Sequence, residues 1–86
     1  MIRMICRNRV EDFAKWKSVF DSHSDAHRQA GLSLEPLRRG LEDANEVFFI
    51  FAVEDIAKAR AFTSAPDAKE AGRRSGVRDG DRWFVE

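Results

Sequence analysis

Val47-Phe48-Phe49-Ile50-Phe51-Ala52-Val53 is apolar at every position, and the polar stretches Glu42-Asp43-Ala44-Asn45 and Glu54-Asp55 lie on either side of it. A short run rich in β-branched and aromatic residues reads as a strand. Successive side chains of a strand point to opposite faces, so Val47, Phe49, Phe51 and Val53 face one way and Phe48, Ile50 and Ala52 the other. Both faces must then be covered, and the segment is expected inside a sheet rather than at its edge.

Reading upstream, Leu32 to Leu41 has strand character but contains Pro36, which has no N–H to give to a ladder. It is expected at a sheet edge or with a bulge. From Val10 to Ala30 there is neither proline nor glycine, and Phe13, Trp16 and Phe20 recur at helical spacing. Advancing about 100° per residue brings Phe13, Trp16, Phe20, His23 and His27 into one arc of roughly 80°, so one long amphipathic helix is expected. Gly31 supplies a left-handed stop after it. Asn8 followed by Glu11 resembles a capping box at its start, and Ile2 to Arg7 suits a first strand.

Downstream, Glu54-Asp55 opens a second helical stretch with Ile56, Ala59 and Phe62 at helical spacing. Pro66 starts a further short helix that ends near Gly76, and Arg82 to Val85 reads as a last strand. The order is β-α-β-β-α-β, the split arrangement of a ferredoxin-like α+β fold with an antiparallel sheet, and residues 1–86 are expected to form one domain. Helices on one side cover only one face of such a sheet. The second apolar face of the third strand therefore predicts a homodimer, since a two-fold axis makes one patch complement itself. Burying Phe48 and Ile50 is expected to contribute about 1.5–3 kcal/mol each before the costs of ordering.

Fifteen basic residues balance fifteen acidic ones, so no net field draws a polyanion, and nucleic acid is not an expected partner. Arg73, Arg74, Arg78 and Arg82 cluster in sequence, but Asp79 and Asp81 interrupt them, which reads as a solvated surface in preference to the alternative, an anion site. The run from Val47 to Val53 is too short to span a bilayer, and the start Met1-Ile2-Arg3-Met4-Ile5-Cys6-Arg7 lacks the long apolar region of a signal peptide. Cys6 is the sole cysteine, so no internal disulfide can form. A soluble protein of the reducing cytoplasm, with no membrane partner, is expected.

His23 and His27 are one turn apart on the face that carries Trp16 and Phe20. A histidine beside an apolar cavity can serve as general acid or base toward a bound carbonyl, phenol or enol, which makes these two the candidate catalytic residues. Trp16, Phe20, Phe49 and Phe51 would form the wall for a flat, apolar or aromatic small molecule, and Arg38 could orient an anionic group on it. The plainer reading makes both histidines half-buried, backbone-bonded residues and Trp16 and Phe20 core. The segment His23-Ser24-Asp25-Ala26-His27 lacks the glutamate of a zincin helix and has only Glu35 as a conceivable third ligand, so no metal is expected. Glycine-rich phosphate loops and Gly-x-Ser-x-Gly elbows are missing, and with no tyrosine a phenolic acid is excluded.

Lys15-Trp16-Lys17, Phe20-Asp21, His23, Arg28 and Gly31, followed by Ala59-Arg60-Ala61-Phe62 and Ser64-Ala65-Pro66, resemble the small dimeric α+β barrel proteins. That superfamily includes the antibiotic-biosynthesis monooxygenases and small cyclase-like proteins without assigned roles. The resemblance implies two sheets facing each other across a dimer and a pocket between sheet and helices. It also implies a monooxygenase- or cyclase-like enzyme that needs no cofactor and acts on an aromatic or polyketide-like compound. Because the fold hosts unrelated activities, a non-catalytic ligand-binding or structural homodimer is the alternative.

Overall fold

The structure is a computed structural model that describes every residue from Met1 to Glu86. Its elements are β1 (Ile2–Val10), α1 (Phe13–Ser22), α2 (Ser24–Gln29), β2 (Leu32–Arg39), β3 (Glu46–Val53), α3 (Ile56–Ser64), α4 (Pro66–Arg74) and β4 (Val77–Val85). The four strands form one sheet in the order β2-β3-β1-β4, with every neighbouring pair antiparallel. This is the ferredoxin-like α+β fold that the pattern predicts. β3 is interior and β2 lies at the edge. The register of β2 against β3 shifts between Leu34 and Leu37, so Pro36 sits in both of the settings open to it.

Three boundaries differ from the sequence-based expectation. The first is at the start of the chain, where β1 continues past Arg7 because Val10 is buried and pairs with Val77. Asn8 is thus a strand residue, and the cap of α1 is Asp12, whose carboxylate accepts from Lys15 N–H at 2.9 Å.

The second is the long helix, which is two helices joined at His23. The Val19 carbonyl, which would accept the backbone N–H of His23 in an unbroken helix, accepts instead from Ser22 Oγ at 2.6 Å and lies 2.9 Å from His23 Nδ1. The His23 N–H turns to Phe20 O at 3.1 Å, which tightens the last turn of α1. Third, β4 begins at Val77, not Arg82. Its polar first half is held at the sheet edge by ion pairs to β1: Arg7 with Asp81 at 2.8 Å and Arg9 with Asp79 at 3.2 Å.

The alternation read from the apolar run holds. Val47, Phe49, Phe51 and Val53 are buried under the helices, together with Met4, Cys6, Val10, Trp16, Leu32 and Ala59. The other face of the sheet has no layer over it. Phe48 is 40% exposed, Trp83 50% and Val85 41%, beside Ile5 and Ile50 of the two inner strands.

Candidate functional site

The helices do not fill the space above the sheet. A cavity of about 1060 Å³ lies between the buried face of the sheet and the two helical pairs. Phe49 and Phe51 reach its floor from β3, Met4, Cys6 and Asn8 reach it from β1, and Arg82 reaches it from β4. Trp16, Phe20, His23 and His27 form one side, and Phe62 with the length of α4 forms the other. Trp16 is 2% exposed, stacked on Phe20 at 4.7 Å and set against Phe49 at 5.5 Å, so the aromatic side of the cavity is also part of the core.

The helix break sets the surroundings of the His23 ring. His23 Nδ1 lies 2.9 Å from Val19 O and 3.1 Å from Ser22 Oγ; a carbonyl oxygen can only accept, so the tautomer that fits the Val19 contact carries its proton on Nδ1 and its lone pair on Nε2. An imidazole in that tautomer at the border of an apolar cavity is equipped to take a proton through Nε2. His27 is in a different setting. Its ring lies 5.0 Å from Phe20, 5.0 Å from Phe51 and 5.5 Å from Phe62. Burial among these rings, with the neighbouring His23 as the lesser cause, lowers its pKa below the usual 6.5, so it is neutral at pH 7.

Of the residues singled out in the sequence, His23, His27, Trp16, Phe20, Phe49 and Phe51 meet around this cavity. Arg38 does not join them. It pairs across the sheet with Phe48 and therefore lies on the open face, where its guanidinium donates to Leu37 O at 3.0 Å. Arg39, on the cavity side of the same strand, packs over the Phe13 ring at 4.0 Å and donates to Ala44 O at 2.9 Å. Glu35 accepts from Arg3 at 2.7 Å. No group of three or more metal-ligating side chains forms in the fold.

Two polar residues that border the cavity are assigned elsewhere by the sequence, Asn8 to a helix cap and Arg82 to a solvated basic cluster. The local pattern suggests a helix cap for Asn8, but on β1 it shares the buried face with Cys6, and it stands opposite Gly80. A Cβ at position 80 would come within 2.4 Å of Asn8 Oδ1, so only glycine leaves room for that amide. Arg82 stands opposite Cys6 and so is on the cavity side of β4. It forms no ion pair. The Cys6 thiol beneath it is buried, which pushes its pKa up to about 12 despite the opposing pull of the Arg82 charge. The period-two alternation of a strand started at Val77 would have revealed Arg82, because it sends Asp79 and Asp81 to one face and Gly80 and Arg82 to the other.

Sheet order and helix placement define a class of fold, that of the antibiotic biosynthesis monooxygenases. A candidate antibiotic biosynthesis monooxygenase from Bordetella bronchiseptica superposes with a TM-score of 0.79 at 14% identity, over 99% of this chain and 94% of that one. SnoaB of Streptomyces nogalater, a cofactor-independent oxygenase, superposes with a TM-score of 0.78 at 16% identity, over 99% of this chain and 90% of its own. An uncharacterised NIPSNAP domain protein from Burkholderia xenovorans shares the fold with a TM-score of 0.69 at 13% identity, over 100% and 93% of the two chains. No family model and no curated protein matches the sequence. At these identities the likeness is one of fold.

Proposed function

We propose that this protein is a monooxygenase- or cyclase-like enzyme that needs no cofactor, acts on an aromatic or polyketide-like compound, and works as a homodimer in the reducing cytoplasm. The observation that carries the proposal is the cavity of about 1060 Å³, walled by Trp16, Phe20, Phe49 and Phe51 and bordered by His23, whose Nδ1 is held at Val19 O. Its size suits a flat small molecule, and its apolar wall favours carbon rings over a sugar or a nucleotide. His23 is the base, and His27 is the neutral ring behind it that keeps the site apolar.

A phenol or enol that gives its proton to Nε2 becomes an electron-rich anion, which dioxygen can oxidise without a cofactor. For a ring methylene the step balances as methylene plus dioxygen giving ring carbonyl plus water. The carbon keeps one oxygen atom, and the other leaves as water with both methylene hydrogens, the proton taken by His23 being returned at that point. If the anion attacks a carbonyl of its own chain instead, the product is a ring closure.

The pairing of subunits is inferred from the uncovered sheet face that exposes Phe48 and Trp83. A non-catalytic binding dimer is the second reading. It is favoured by the partner of His23 Nδ1, a neutral carbonyl rather than a carboxylate that would raise the basicity of the ring.

Oxygen uptake with an anthrone substrate tests the first reading. Wild type is expected to consume oxygen and His23→Ala to lose the activity while keeping its dimer by sedimentation. Saturable binding of the substrate without turnover would select the second reading, and equal rates in wild type and variant would remove His23 from the mechanism.

A further inference from the structure

We propose that the ligand of this cavity carries an ionised carboxylate on its aromatic frame, and that Arg82 is the residue that anchors it. The inference rests on the reading of the cavity as a site for a flat apolar molecule and adds the acid group to that reading. Four cationic side chains border the space, Lys58, Lys69, Arg74 and Arg82, against three carboxylates, Asp67, Glu70 and Asp81. Two of those carboxylates are already engaged. Glu70 accepts from Arg73 at 2.6 and 3.1 Å, and Asp81 accepts from Arg7 at 2.8 Å on the far face of the sheet. Asp67 alone remains to offset the four cations.

The placement of Arg82 makes it the anchor among the four. β4 alternates so that its acidic residues, Asp79 and Asp81, are drawn to Arg9 and Arg7 on the open face, while Arg82 is left on the cavity side without a counter-ion. Its cross-strand neighbour Cys6 is a neutral thiol, and Asn8, two residues along β1 on the same face, adds an amide that can donate to an oxygen. A planar guanidinium matches a carboxylate with two parallel hydrogen bonds, and the exposed Arg82 head stands at the rim of the cavity, where it can meet an acid group on a ligand whose rings lie further in. Phe20 and Phe62, the lining rings that are only partly buried, offer the surface for the rings of the ligand. The ligand is thus oriented, acid toward β4 and rings toward α1, with the far end beside His23.

Anthraquinone-2-carboxylate and its carboxamide share one frame and differ in charge, so titration calorimetry of both at low salt separates the acid from the rings. The carboxylate is expected to bind wild type at least about tenfold more tightly than the amide, as a charge-assisted bidentate contact should allow. Arg82→Gln is expected to bring the acid down to the affinity of the amide without changing the amide, and Arg82→Lys to fall between. The Arg82 side chain takes part in none of the ion pairs of the fold, so the variants should melt with wild type. Equal binding of acid and amide by wild type, an acid preference that survives in Arg82→Gln, or an equal loss of both ligands in that variant would each overturn the assignment while leaving the aromatic cavity standing. If wild type binds neither compound, the aromatic-site reading falls and the acid anchor falls with it.

Discussion

The imidazole of His27 and the ring of Phe51 lie 5.0 Å apart, centroid to centroid, across the seam between α2 and β3. Phe20 and Phe62 flank the half-buried ring, and a charged imidazole placed there loses part of a hydration that carbon rings do not replace. The contrast with His23 one turn earlier divides the pair. One ring is fixed through Nδ1 at the cavity border, and the other is held neutral within the packing.

That contrast gives a pH dependence with a definite sign. Below the usual histidine pKa of 6.5 the unfolded chain takes up a proton at His27 that the folded chain, with its lowered value, refuses. The stability contribution of the neutral ring is therefore complete above that pH and is lost as the pH falls below it. Thermal melts at pH 8 and pH 5 should show a larger drop for wild type than for His27→Phe. An identical drop in both would mean that carboxylates alone set the acid sensitivity.

Cys6 should behave in the opposite sense. With its thiol pushed up to about 12 from an ordinary 9.0, it is protonated and shielded at pH 8. A disulfide reagent is expected to leave it untouched in the native protein and to react in full once urea unfolds the chain. The same raised value means that its contribution to stability is present below pH 9.0 and erodes as the pH climbs toward 12. Rapid labelling of the native protein would show that β1 opens far more readily than its packing implies.

Trp16 is the side chain that joins core and cavity. Its truncation to alanine removes the stack on Phe20 and the contact with Phe49, and is expected to cost about 3–5 kcal/mol, as for other buried aromatic residues. Urea unfolding at a fixed protein concentration measures this, since association would make the midpoint concentration-dependent. A loss below about 1 kcal/mol would indicate that the cavity side relaxes around the vacancy.

On the open face, Ile50→Glu should separate folding from association. The side chain points away from the helices, so the variant is expected to keep its far-UV circular dichroism and sediment as a monomer where wild type sediments as a dimer. A wild type that is monomeric at micromolar concentration would remove the dimer from the proposal.

Elements whose sequence carries a complete local signal were legible in advance: the all-apolar β3, the positive-φ Gly31 after α2, the Asp55 start of α3 and Pro66 at the head of α4. Elements set by competition were not. Nothing local says that Ser22 and His23 side chains will take the Val19 carbonyl and divide the helix, because the same residues fit an unbroken one. The first half of β4 reads as a polar loop. It becomes a strand because Arg7 and Arg9 of a distant segment meet Asp81 and Asp79 across the sheet edge.

Residue order alone was enough to specify the ferredoxin-like plan, from the succession of elements, the edge position of β2, from Pro36, and the two faces of β3 and the gathering of His23, His27, Trp16 and Phe20 on one side, from periodicities of two and 3.6. Packing in three dimensions decided the rest: that helices and sheet leave a cavity, that the His23 ring is held at Val19 O, that the half-buried His27 lies among three aromatic rings, that Arg38 lies on the open face and that Asn8 and Arg82 lie on the cavity side. These depend on which segments come to lie opposite one another. Cross-strand register and the competition for individual carbonyl groups arise only when the whole chain has closed on itself.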